Sequence, residues 1–116
     1  MPTVFVIAKD WTLRAGVRAE LREMGVDALG METVADAGQT IAAGTIPDVV
    51  MLDAASEDVA SLGGVASLVR SVPVLVVASR TEAVPGIETA AMVMYRPVSV
   101  GEVVARLKQL LEGQPA

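Results

Sequence analysis

Short β-branched runs alternate with amphipathic stretches along this 116-residue chain, a rhythm that predicts parallel strands joined by crossover helices. The first strand is expected over Thr3 to Ala8. A helix follows from about Thr12 to Met24, with Leu13, Val17, Leu21 and Met24 on one face and Gly25 marking its end. Val26 to Met31 reads as a second strand. Thr33 with Asp36 three residues on resembles a capping box, opening a helix that stops at Gly44. The run Pro47 to Asp53 is apolar, entered through a proline and ended by a carboxylate, as befits a central strand whose tip carries a site.

A helix over about Val59 to Arg70 is expected next, weakened by Gly63 and Gly64, and Val72 to Ala78 supplies a fourth buried strand. Between Ser79 and Ala91, Pro85-Gly86 leaves room for only a turn or two of helix around Ile87 to Ala90, so the fourth crossover is expected to be short. Met92 to Tyr95 forms the fifth strand. Ser99 and Glu102 make another capping box for a helix through Leu111, with Val100, Val104, Leu107 and Leu111 as its buried stripe. The pattern thus gives one α/β domain over residues 1–116, with five parallel strands and a short disordered-looking tail from Gly113 to Ala116.

Composition narrows the function. The chain is 53% hydrophobic with only three aromatic residues and a formal charge of −5, and it has no basic run. Nucleic-acid binding is therefore not expected. No apolar run approaches the roughly 18 residues of a membrane span, and Met1 to Lys9 carries no signal-peptide pattern, which suits a cytoplasmic protein without a membrane partner. Cysteine and histidine are both absent. That leaves carboxylates, hydroxyls and cations for chemistry, and no nucleophile with an evident base, so no enzymatic activity is expected.

In an open parallel sheet of order 2-1-3-4-5, ligands bind beyond the carboxyl ends of the strands, where the order reverses between strands one and three. The tips there contribute Ala8, Lys9 and Asp10, then Asp53, then Ala78 and Ser79, then Arg96. Asp10 also suits the cap of the first helix, Ser79 a turn, and Trp11 simple packing at the helix start. Asp48, at the far end of its strand, reads as structural.

Taken together, the strand and helix start from Val4 to Arg14, the Pro47-Asp48-x-x-x-x-Asp53 strand, the Pro73-Val-Leu-Val-Val strand and the Arg96-Pro97 step resemble the receiver domain of two-component response regulators. The resemblance implies the flavodoxin-like fold and places the family's phosphoacceptor at Asp53, which would take a phosphoryl group from a sensor histidine kinase. It also implies departures. The family's Mg²⁺-holding acidic pair falls on Ala8 and Lys9, its hydroxyl residue on Ala78 with Ser79 one place on, its lysine on Arg96 and its aromatic switch position on Val93, with Tyr95 two residues later.

Phosphoryl transfer to a carboxylate brings two anions together and ordinarily uses a divalent metal to neutralise them. With Ala8 and Lys9 at the metal position, Asp53 and Asp10 would make only a weak Mg²⁺ site. The expected arrangement is an already neutralised pocket in which Lys9 pairs with Asp53 and Arg96 adds a second cation. The expected function is a receiver-like signalling domain, impaired in Mg²⁺-dependent phosphorylation, that acts by docking to a kinase, a downstream signalling protein or a second copy. Two alternatives remain open: a phosphorylation-competent receiver, and a small-anion or nucleotide-binding module using Lys9 and Arg96.

Overall fold

The computed structural model describes residues 1–56, 72–81, 84 and 90–113. Five strands, β1 (Thr3–Ile7), β2 (Asp27–Met31), β3 (Val49–Asp53), β4 (Val74–Ala78) and β5 (Met92–Tyr95), form one sheet. Its order is β2-β1-β3-β4-β5 and every pairing is parallel, as the alternating pattern predicts. The α-helices among the described residues are α1 (Trp11–Glu23), α2 (Val34–Ala42) and α3 (Val100–Glu112). The expected helix over 59–70, most of the fourth crossover and residues 114–116 lie outside the described residues.

Strand burial follows position in the sheet. β3 and β4 have neighbours on both sides and all ten of their residues are buried, which is why each reads as an unbroken apolar run. The outer strands β2 and β5 are only partly buried. Alternation along the strands then divides the core in two. Val4, Val6, Val49, Met51, Leu75 and Val77 pack with Leu13, Val17 and Leu21 of α1 and Val103, Val104 and Leu107 of α3. Phe5, Ile7, Val50, Leu52, Val74 and Val76 pack on the other face with Val34 and Ala37 of α2.

The helix ends carry the local chemistry that the sequence foretells. The Asp10 side chain accepts from the backbone N–H groups of Thr12 and Leu13, the Thr33 hydroxyl from Asp36 N–H at 3.1 Å, and the Ser99 hydroxyl from Glu102 N–H at 3.1 Å. Gly25, just past α1, has a φ of +82°, a conformation that side-chain-bearing residues rarely adopt. Asp48 has the structural role expected of it: its Oδ2 accepts from Thr3 N–H at 2.7 Å, and its own N–H donates to Thr3 O at 2.8 Å, tying the entrances of β1 and β3 together.

Two helix faces differ from expectation. Met24 is the C-cap of α1 and is 43% exposed, because the chain leaves the helix before that position reaches the sheet. In α3 the fully buried positions are Val103 and Leu107, with Val104 close behind, whereas Val100 and Leu111 are partly covered; the stripe is centred one step from the one drawn through Val100 and Leu111.

Candidate functional site

The crevice at the reversal point is built from the ends of β1, β3, β4 and β5. Asp53 is the last residue of β3, and at 1% exposure it is the one buried charged residue among those described. Leaving a carboxylate unpaired there would be costly, so its partners define the site. One is local: the chain turns after β3 into a 3-10 turn over Ala54–Ser56, which brings Ala55 N–H to 3.1 Å from Asp53 Oδ1. The other is distant in sequence. Arg96, directly after β5, donates from Nη2 to the same Oδ1 and forms an ion pair with it.

The backbone of Arg96 is tied to β4. Its backbone N–H donates to Ala78 O at 2.9 Å, extending the β4–β5 ladder by one residue, and the Arg96–Pro97 peptide bond is cis. Its side chain is about one-third exposed, reaching from Asp53 at one end to the surface at the other. There it lines a cleft of about 170 Å³ together with Asp10, Thr12, Leu13, Val98 and Val100. Arg96 is therefore the wall between the buried carboxylate and the open cleft.

Of the two cations expected beside Asp53, Arg96 forms an ion pair with it directly. Lys9 is exposed at the end of β1. A guanidinium suits this position because its planar fork can keep one arm on a buried carboxylate while the rest stays hydrated. The signal that could have favoured it is the arginine's place at a strand end before Pro97, where the backbone fixes the start of a long side chain.

The remaining tip residues are placed as follows. Ala8 is buried; its N–H donates to Met31 O at 3.0 Å and its carbonyl accepts from Arg14 Nη1 of α1, a contact that sequence reasoning missed. Asp10 is exposed, with Oδ1 3.0 Å from Thr12 N and 3.3 Å from Leu13 N. Ala78 packs into the core on the α2 face. Ser79 turns its hydroxyl to Thr81, 2.9 Å from Thr81 Oγ1, and also accepts from Thr81 N–H at 3.3 Å, consistent with the turn role. Tyr95 is 41% exposed, with the Arg80 guanidinium 4.7 Å above its ring centre, a cation–π contact at the surface. Trp11, expected to pack at the helix start, is 70% exposed instead. Among the described residues no group of three or more His, Cys, Asp or Glu gathers in a metal-ligating cluster.

No protein-family model and no curated protein matches the sequence. Solved structures do match by fold. A two-component response regulator from Clostridium difficile superimposes with a TM-score of 0.81 at 13% identity, over 100% of both chains. The receiver domain of the TMAO respiratory system response regulator TorR gives 0.80 at 19% identity, over 97% of this chain and 98% of that one. The beryllofluoride-activated NtrC receiver domain gives 0.76 at 20% identity, over 98% of each. The chain has the flavodoxin-like fold of response-regulator receiver domains. No helix among the described residues is long and apolar enough to cross a membrane.

Proposed function

We propose that the chain is a receiver-like signalling domain of a two-component system, with Asp53 at the phosphoacceptor position, that works through protein–protein contacts rather than through Mg²⁺-dependent phosphorylation. The observation that carries this reading is the Arg96–Asp53 ion pair. In such a domain the acceptor carboxylate must present an oxygen to an incoming phosphoryl group while a metal neutralises the pair. Here Asp53 Oδ1 already carries a guanidinium and a backbone N–H.

The donor set does not fit Mg²⁺, which prefers several oxygen ligands in octahedral array. At the tip of β1 the side chains are a methyl group and an ammonium, on Ala8 and Lys9. Asp10 Oδ1 is engaged by the first amides of α1. A fixed positive side chain therefore takes the neutralising role. The pocket is not an enzyme active site in this reading, and the domain is a cytoplasmic docking module whose partner is a sensor kinase, a downstream signalling protein or a second copy.

The test is to follow backbone amide chemical shifts while beryllofluoride and Mg²⁺ are added to the wild-type chain and to Asp53→Asn. Unchanged spectra for both are expected. Saturable shifts spreading from Asp53 in the wild type and absent from Asp53→Asn would restore a phosphorylation-driven switch.

A further inference from the structure

The outer strand β2 presents an open edge, and the direction of its peptide groups can be followed from its hydrogen bonds. Asp27 N–H donates to Pro2 O and Met31 O accepts from Ala8 N–H, so both residues turn their peptide groups towards β1. Peptide groups alternate along a strand, which leaves those of Ala28 and Gly30 facing outwards. Outward-facing peptide groups of an edge strand are a template on which another strand can add.

The Ala28 carbonyl does not stand open. It accepts from Arg18 Nε at 3.3 Å and from Arg22 Nη2 at 3.4 Å. These arginines are four residues apart on α1 and so occupy one face of the helix, which lets both reach a single oxygen. Two donors use both lone pairs of that carbonyl and leave none for the N–H of an incoming strand. Gly30 makes room for the arrangement: a Cβ there would lie 2.7 Å from Arg18 Cδ and 3.2 Å from Arg14 Cδ, so any side chain would displace the arginine stems.

We infer that Arg18 and Arg22 close the open edge of β2 to strand addition by a second copy of this chain. Charge works in the same direction as hydrogen bonding. Edge-to-edge pairing of two identical strands is self-complementary, so it would bring both arginine pairs to the same seam and force all four guanidiniums off their carbonyls or into contact. The device is separate from the Asp53 pocket, and its test does not depend on the proposed function.

The experiment compares the wild-type chain with Arg18→Gln/Arg22→Gln by sedimentation velocity over a wide concentration range, together with amide hydrogen exchange at Ala28 and Gly30. The double variant is expected to show a larger mass than the wild type at equal concentration, with exchange of those two amides slowed at least about tenfold in the associated form. A folded variant whose mass tracks the wild type throughout would overturn the inference. So would one that associates while Ala28 and Gly30 exchange as before, since another surface would then be responsible. If the double variant fails to fold, Arg22→Gln alone serves, because Arg22 is exposed; it is expected to change in the same direction by less, and no change in mass or exchange would overturn the inference equally.

Discussion

The ends of β1 and β3 lie side by side, each is associated with an aspartate, and the two aspartates are put to opposite uses. Asp10 is exposed and spends its carboxylate on the first amides of α1. Asp53 is buried and holds a backbone N–H from its own turn and a guanidinium from the far side of the sheet. The difference teaches that a carboxylate's role is set by what its surroundings leave unsatisfied. At a helix start the orphans are N–H groups, and a local side chain caps them. In a buried crevice the orphan is the carboxylate itself, and a countercharge for it comes on a long side chain from another element.

Removing the partner of Asp53 should therefore produce the largest effect. Arg96→Met leaves a buried carboxylate without the guanidinium and, among the described residues, with one N–H; a loss of about 3 kcal/mol is expected, at the low end for a broken buried pair because Arg96 is itself one-third exposed. Equilibrium urea unfolding measures it. Asp53→Asn removes the other partner but leaves a guanidinium that can turn to water, so it should cost only about 1 kcal/mol. Equal losses for the two variants would mean that burial of Asp53 is not what makes the pair matter.

Asp10→Ala comes next, at about 1 kcal/mol, the usual value of an N-cap. The loss should appear with reduced helical circular dichroism and should add to that of Asp53→Asn, because the two carboxylates share no hydrogen-bond partner. Strong non-additivity would show that the two tips act as one site after all. Arg96→Lys keeps the charge and loses the fork, and about 0.5 kcal/mol is expected from the same unfolding measurement.

The smallest effect is spectroscopic. Trp11 adjoins Asp10 in sequence and is well exposed, and as the chain's one tryptophan it gives a fluorescence signal to follow. In the wild type, millimolar Mg²⁺ should leave it without saturable quenching. Lys9→Asp combined with Arg96→Lys exchanges an ammonium for a carboxylate and loosens the hold on Asp53, and it should introduce a saturable response. A saturable response already present in the wild type would count against the metal-independent pocket proposed above.

Much of the fold was legible because it rests on local pattern. The continuous apolar runs of β3 and β4, the Thr33 and Ser99 caps, and Gly25 after α1 each state their role within a few residues. Asp53 was legible too, as a carboxylate closing an apolar strand. The direct pairing with Arg96 was less legible, because Arg96 is far along the chain and the pattern carries no measure of reach. Trp11 misled for a related reason: an aromatic residue at a helix start packs only if another element covers it, and there Trp11 remains largely exposed. The arginines on Ala28 left no trace in the periodicity, which records apolar positions and is silent about where a guanidinium lands.

By itself the sequence determined the strands, their parallel connection and the placing of an acidic tip at the reversal of the sheet, since period and capping are properties of neighbouring residues. Only the tertiary structure decided that the Arg96 guanidinium reaches Asp53 and which side chains close the outer strand. Those outcomes depend on distances between elements far apart along the chain, and a side chain's reach is fixed only once the sheet and helices have packed.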